Sequence, residues 1–271
     1  MMKDFGLVSI ITPNFNCEKY IQETIESVQA QTYSNWEMLV VDDCSTDNSL
    51  RILEEISEKD NRVKILHNEH NSGAAVSRNY GIREAKGKWI AFLDSDDLWK
   101  SDKLERQLEF MITNQYAASY TDSIYVDDSS TPIGIRETGP QKVGYNKLLF
   151  FNFLSTCSVM YDRDIVGLVQ IPDLKKRNDY ALWLKVAKHT SFHLLNNPLT
   201  MYRIRAVGSL SNKSGGLIKQ RSLIKDHFVM FRKNEGFSVV KSYIFVAVNI
   251  IGYVFKKIVY IKKYTNPTKS L

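Results

Sequence analysis

Four short apolar runs constrain this chain more than any other feature. "LVSIIT" (7–12), "WEMLVVDD" (36–43), "VKIL" (63–66) and "WIAFLD" (89–94) have the length and the β-branched or aromatic content of strands. Between them, apolar residues recur at helical spacing: Ile21, Ile25 and Val28, then Ile52 and Ile56, then a helix across "AAVSRNYGIREA" (74–85). Asn16 is placed to cap the first helix, and "KGK" (86–88) stops the third. Strand and helix thus alternate through four strands, which predicts a largely parallel sheet with right-handed crossovers. The continuous apolar middle of 36–43 suits a strand covered on both faces. The expected fold class is therefore α/β, with a Rossmann-like, mostly parallel central sheet flanked by helices. Ligands of such sheets bind beyond the carboxyl ends of the strands. Polar residues collect there: Thr12-Pro13-Asn14, Asp42-Asp43, and Asp94 to Asp97.

The pattern is less regular after residue 100. A helix is expected over 103–114, through Leu104, Leu108 and Met111, then a strand within 116–128. A polar loop is expected through Pro132 and Gly134, a helix over 178–189, and two short strands within 191–205. A basic helical tail follows from about 215.

Charge separates the tail from the rest. The chain of 271 residues has a net charge of +6. From Lys213 onward there are twelve Lys and Arg against Asp226 and Glu235, leaving 24 basic and 28 acidic residues in 1–212. The tail therefore points to an anionic surface, lipid or nucleic acid. The three cysteines, Cys17, Cys44 and Cys157, form no CxxC pair, which disfavours a zinc ribbon or a disulfide framework and fits a reducing compartment. The N-terminus lacks the long apolar run and small-residue cleavage site of a secretory signal.

Two phosphate cradles are missing. "TPNFNCEKY" contains no glycine where a dinucleotide fingerprint would lie, and no GxxxxGK[ST] occurs. The acidic cluster in "IAFLDSDDLW" (90–99) offers another device. A hard divalent cation takes carboxylate oxygens and keeps positions open for phosphate oxygens. It stabilises the charge that develops on a departing diphosphate. Asp94 and Asp96 are placed for this; Asp96 or Asp97 can equally start the next helix. His189 and His193 lie four apart, but without the glutamate of a zinc-protease motif.

"VSIITPNFN", "VVDDCSTDNS", "NSGAAVSRNYG" and "GKWIAFLDSDD" stand in the order and spacing of family-two inverting glycosyltransferases, and the chain resembles that family strongly over residues 6–100 and more weakly to about 205. The resemblance implies a GT-A type fold and a metal-dependent hexosyl- or N-acetylhexosaminyltransferase with a UDP-sugar donor and Mn²⁺ or Mg²⁺ as cofactor. It implies that the Thr12-Pro13 turn lines the nucleotide base, that Asn14 beside it belongs to the nucleotide-sugar site, and that Asp43 accepts a hydrogen bond from the uracil imide, where the bland alternative is a helix N-terminal charge or a turn residue. Gly73 and the helix start behind it would face the diphosphate. Arg78 would either add positive charge there or pair with a carboxylate. Asp94, Ser95 and Asp96 match the family's DxD, with Asp96 the direct metal ligand and Asp94 near the ribose or metal waters. Trp99 would pack on a sugar or, more simply, in the core. Asp179 matches the catalytic base, although Asn178 departs from the usual glutamate before it. "MYRIRAVGSLS" (201–211) resembles a later donor-facing segment in which Arg203 and Arg205 would approach the diphosphate or, alternatively, lie on the surface.

The resemblance also implies a lipid-linked saccharide acceptor, as in O-antigen, capsule or teichuronic-type synthesis, with no nucleic acid partner. It divides the chain into a catalytic domain (1–212, with a nucleotide-sugar-binding half 1–100 and an acceptor-binding half 101–212) and a basic, apolar tail (213–271). "SYIFVAVNIIGYVF" (242–255) is uncharged for fourteen residues and is followed by "KKIVYIKK". Such a segment packs on the catalytic domain, pairs with a second copy as a homodimer, or lies in a membrane interface. The coincidence of apolar and basic residues favours the membrane, on the inner face of the cytoplasmic membrane. The rivals are a sugar nucleotidyltransferase and a non-enzymatic basic binding module.

Overall fold

Each of the four apolar runs is a strand. In the computed structural model, which describes residues 4–172, 174, 176–205 and 217–264, they form β1 (Val8–Asn14), β2 (Trp36–Asp42), β3 (Val63–His67) and β4 (Trp89–Phe92). Helices α1 (Ile21–Gln29), α2 (Ser49–Ser57) and α3 (Ala74–Glu84) connect them. The four strands are parallel, in the order β3-β2-β1-β4. β1 and β2 end level, with Asn14 opposite Asp42, while β4 ends opposite Ile11, so that Asp94 follows two residues further on. Register alone therefore brings the three polar clusters to one edge.

The same register explains the core. Successive residues of a strand point to opposite faces. Ile10, Met38, Val40, Trp89 and Ala91 pack with α1 and α2 on one face. Ile11, Leu39, Ile90 and Phe92 pack against α3 and Trp183 on the other, where Phe92 meets Trp183 edge-on at 5.3 Å. Both faces being covered, the strands need an unbroken apolar run. Gly87 is needed where the chain turns into β4: a Cβ there would lie 2.6 Å from the Leu7 carbonyl and the Ser9 nitrogen.

The second half continues as β5 (Leu98–Trp99), α4 (Lys103–Thr113), β6 (Ala118–Val126), β7 (Pro132–Glu137), β8 (Lys142–Val143), α5 (Tyr145–Phe150), β9 (Met160–Asp162), α6 (Arg163–Val166), α7 (Asn178–Val186) and β10 (Phe192–Arg203). The tail forms α8 (Leu217–Glu235), α9 (Val239–Val259) and β11 (Ile261–Lys263). Beyond β4 the sheet runs β9-β6-β7-β11 with antiparallel neighbours, while β10 lies parallel to β6. The sheet is thus mixed: parallel where the four βα strands build it and largely antiparallel beyond.

Three local expectations change. Residues 132–137 are a strand, not a loop. Pro132 stands at its first position, where no ladder donor is required, and pairing to β6 and β11 overrides the turn-like composition. Residues 192–203 form one strand, with register shifts around Pro198 instead of a full break. Asn16 does not cap α1, which starts at Ile21; Asn16 sits at φ 47° and its side chain accepts from the Thr46 N–H at 2.7 Å. The tail packs on the catalytic body through α8 and α9, and β11 closes the sheet edge. The expected boundary at 212/213 lies outside the described residues.

Candidate active site

The carboxyl ends of β1, β2 and β4 carry the first part of the site. After β4 the chain makes a tight turn, closed by the Asp97 N–H donating to the Asp94 carbonyl at 3.1 Å. Thr24 of α1 and Cys17, ahead of that helix, anchor this turn. Thr24 Oγ1 and Cys17 Sγ both donate to the Ser95 carbonyl, at 3.0 and 3.2 Å. Asp94 and Asp96 reach the surface of the cleft, their side chains 29% and 23% exposed. Asp97 turns inward and is buried.

Asp97 is a structural residue and not the cap of α4. Its Oδ1 accepts from the Arg203 backbone N–H at 2.8 Å and its Oδ2 from the Cys157 thiol at 2.7 Å. Burial, then the carboxylates of Asp96 and Asp94, push the Asp97 pKa well above the ordinary value. Burial, then Asp94 and Asp97, push up the Cys157 thiol as well, so it serves as a donor and not as a thiolate. Trp99 is core: it is buried and donates from Nε1 to the Cys157 carbonyl at 2.8 Å.

Two arginines meet the exposed carboxylates. Arg78, on α3, is ion-paired with Asp94. Its Nη1 also donates to Asn178 Oδ1 at 3.4 Å, at the start of α7. Burial opposes the charge on Arg78, but Asp94 and then Asp179 outweigh it and hold the guanidinium above its ordinary pKa. Arg78 therefore joins the turn after β4 to the first turn of α7. Asp179 is half-buried there, and no hydrogen bond among the described residues ties down its carboxylate. Arg205 Nε lies 2.5 Å from Asp96 Oδ2. Burial raises the Asp96 pKa, Arg205 opposes this, and Asp94 adds to it; the net shift is upward.

Arg203 and Arg205 differ sharply. Arg203 has a side chain with no exposure, and all five of its N–H donors are engaged. They reach the carbonyls of Asp96, Asp127 and Asp128, the Glu23 carboxylate and Ser130 Oγ. In this arrangement Arg203 builds the wall behind the acidic turn and presents no donor to the cleft, contrary to its expected approach to the diphosphate. Arg205 is 18% exposed and pairs with Asp96. Residues 206–211 of the expected donor-facing segment lie outside the described residues.

At the β2 end, Asp43 is buried and shapes the next loop. Its Oδ1 accepts from Asn68 Nδ2 (2.7 Å) and the Ser72 N–H (2.8 Å), and its Oδ2 from the Gly73 N–H (2.7 Å). Gly73 sits at φ 86°, a conformation costly for any other residue, and hands the chain into α3. Asp42 is bound to Asn14 Nδ2 at 2.8 Å and to the Ser45 N–H at 3.0 Å. Among the described residues, Thr12 Oγ1 and Asn14 Oδ1 are buried with no partner, two such polar atoms near the end of β1. Pro13 between them is half-buried.

One group of candidate metal ligands stands out among the described residues: Asp94, Asp97 and Cys157, with ligand atoms within 4.8 Å of one another. The Cys157 thiol is engaged with Asp97, and a soft sulfur suits a hard cation poorly. Both Asp97 oxygens are already bonded. The hard oxygen donors facing the cleft are Asp94 and Asp96. Asp94 raises the pKa of Asp96, as expected of a carboxylate pair that a cation would relieve. This pair fits Mg²⁺ or Mn²⁺. Composition and spacing gave no sign of Cys157, Glu23 or Asn68, because their partners lie far away in sequence.

Residues 9–166 match the sequence profile of glycosyl transferase family 2. The chain is 40% identical over 208 residues to the putative teichuronic acid biosynthesis glycosyltransferase TuaG of Bacillus subtilis, covering 76% of this chain and 82% of that one. It is 39% identical over 227 residues to the Escherichia coli UDP-Glc:alpha-D-GlcNAc-diphosphoundecaprenol beta-1,3-glucosyltransferase WfgD, covering 83% and 87%. Among solved structures, S. aureus TarS 1-349 in complex with UDP-GlcNAc superposes with a TM-score of 0.69, covering 93% of this chain and 74% of that one. At 20% identity that likeness is one of fold.

Proposed function

The chain belongs to glycosyl transferase family 2, and from that premise we propose that it moves a sugar from a UDP-sugar to a hydroxyl of a lipid-linked saccharide, with inversion at the anomeric carbon. The observation that carries this reading is the convergence of Asp94, Asp96, Arg78 and the α7 residues Asn178 and Asp179 at the carboxyl ends of the parallel strands. Donor and acceptor need one shared edge of the sheet, and these residues come from both halves of the chain.

In this reading Asp179 is the general base. It takes the proton of the acceptor hydroxyl as that oxygen attacks the anomeric carbon from the face opposite the diphosphate. The glycosidic C–O bond forms as the bond to UDP breaks, so an α-linked donor gives a β-linked product. Asn178, held by Arg78, positions the start of α7. Asp94 and Asp96 would hold Mn²⁺ or Mg²⁺, which supplies charge stabilisation to the departing diphosphate. Arg78 keeps Asp94 oriented and contributes positive charge. Thr12, Pro13 and Asn14 line the base. A carboxylate has about four acceptor sites, and Asp43 has three donors on it. One Oδ2 lone pair thus remains for the uracil imide. Residues 1–100 serve the donor and 101–212 the acceptor.

The relatives named for teichuronic acid synthesis and for a diphosphoundecaprenol-linked acceptor support a lipid-linked saccharide as substrate. The enzyme would then work at the inner face of the cytoplasmic membrane, with residues 213–271 as the membrane-facing part. The test is a panel of UDP- and GDP-sugars with Mn²⁺ or Mg²⁺ and a polyprenyl-diphosphate sugar acceptor, read by mass spectrometry. The reading predicts a mass gain of one sugar residue with a UDP-sugar. Transfer from GDP-sugars alone would overturn the donor assignment.

A further inference from the structure

Helix α9 has one buried face and, opposite it, one exposed apolar face. Ser242, Val246, Asn249 and Gly252 form a buried stripe. Asn249 Nδ2 donates to the Leu149 carbonyl at 2.9 Å, and a Cβ on Gly252 would meet the Phe150 carbonyl at 2.6 Å. Lys256 pairs with Glu137 at 2.6 Å, both nearly buried. The opposite stripe recurs at spacings of three and four: Val240, Ile244, Ala247, Ile251, Val254 and Ile258, all exposed. Val240 is 70% exposed and Ile258 75%. A chain of this size seldom leaves such a stripe to water.

We propose that this outer face of α9 lies in the plane of a membrane interface and docks the enzyme on an anionic lipid surface. The inference rests on the lipid-linked acceptor for its purpose, and on α9 alone for its geometry. At 21 residues the helix is about 30 Å long, enough to cross a bilayer by length. Its attachments exclude that orientation in this fold. At one end Ser238 and buried Phe237 hold it to α8. At the other β11 pairs with β7, and the Tyr264 N–H donates to the Gly134 carbonyl at 2.7 Å. Both ends are thus fastened to the same body, and spanning would drag Asn249 and the Lys256–Glu137 pair into hydrocarbon.

Charge selects lipid over a second copy of the chain. Residues 239–264 contain five lysines and no acidic residue. Lys241, Lys257, Lys262 and Lys263 are exposed. A two-fold pairing of this face with itself would set lysines against lysines with nothing to neutralise them. Anionic headgroups would meet the lysines while the apolar stripe enters the acyl boundary. A shallow cavity of about 220 Å³, lined by Ile224, Lys225, Phe228 and Tyr243, extends the apolar surface onto α8.

The full chain is tested by flotation with vesicles of phosphatidylcholine, with and without phosphatidylglycerol. Wild type is expected to float with the anionic vesicles. The double variant Ile244→Asp/Ile251→Asp should bind at least about ten-fold more weakly, with UDP affinity unchanged as the check on folding. Lys257→Gln/Lys262→Gln should lose about five-fold per lysine on anionic vesicles only. Trp placed singly at 244, 251 and 258 should be quenched by brominated lipids at one shallow depth. A deep position at 251 flanked by shallow ones would show a spanning helix and overturn the proposal. So would a wild type that ignores vesicles, or a solution dimer that the aspartates dissociate. Vesicle binding and UDP binding are separate readouts, so failure of the docking proposal is distinguishable from failure of the donor assignment.

Discussion

Replacing Arg203 by alanine separates a wall residue from a donor ligand. The side chain satisfies three half-buried carbonyls, those of Asp96, Asp127 and Asp128, and each would lose about 1 kcal/mol if left without a donor. Its guanidinium lies 4.7 Å from the centre of the Tyr20 ring, a cation–π contact of about 1 kcal/mol. The pair with Glu23 adds little, because that carboxylate is 45% exposed and water can replace the arginine. The sum is about 4 kcal/mol, or a melting temperature lower by about 10 °C. Urea denaturation gives the first number and differential scanning fluorimetry the second. UDP affinity of the folded variant, measured well below its melting point, should stay within about five-fold of wild type, since no Arg203 donor faces the cleft. Unchanged stability with a fifty-fold weaker UDP affinity, about 2.3 kcal/mol, would refute this reasoning and make Arg203 a donor ligand.

Lys103 is fully buried against the face of Trp99 at 3.7 Å, and burial pushes its pKa from 10.5 down to about 7. Below about pH 7 both the folded and unfolded chains carry the proton and the penalty is complete; between about 7 and 10.5 only the unfolded chain carries it, so this contribution makes stability rise with pH. Lys103→Met should therefore stabilise the fold at pH 6, by about 3 kcal/mol after the loss of the ring contact, and the gain should vanish near pH 10 in urea titrations. Asp43→Ala removes acceptors from Asn68, Ser72 and Gly73, so it should destabilise by about 2–3 kcal/mol and weaken UDP binding. A variant with intact UDP affinity would mean that this loop does not bound the nucleotide site. Asp96→Ala should leave melting nearly unchanged and abolish any dependence of UDP binding on Mn²⁺ in calorimetric titrations. Retained Mn²⁺ dependence would remove Asp96 from the metal assignment.

The first hundred residues are legible because one rule governs them. A strand buried on both faces must be apolar throughout, so Ile10-Ile11 or Val40-Val41 betray both the element and its place in the sheet. The polar residues that end each run then fall together by register. Residue type does not separate Asp96 from Asp97, or Arg203 from Arg205. Asp97 is fixed by a thiol sixty positions away, and Arg203 by carbonyls about 75 and 107 positions away. Nothing in the local pattern reports depth from the surface. β7 is hidden for a related reason. Its Pro132 and Gly134 read as a turn, and only pairing with β6 and β11 supplies the reason for a strand.

Whether Asp179 is the base is decided by transfer by Asp179→Asn, measured beside its UDP affinity. The substitution keeps the size of the side chain and removes its basicity. If Asp179 takes the acceptor proton, turnover at saturating UDP-sugar and lipid-linked acceptor should fall by about 10³-fold, while UDP affinity stays within about three-fold of wild type. Transfer at the wild-type rate would exclude Asp179 as the base and place that role elsewhere.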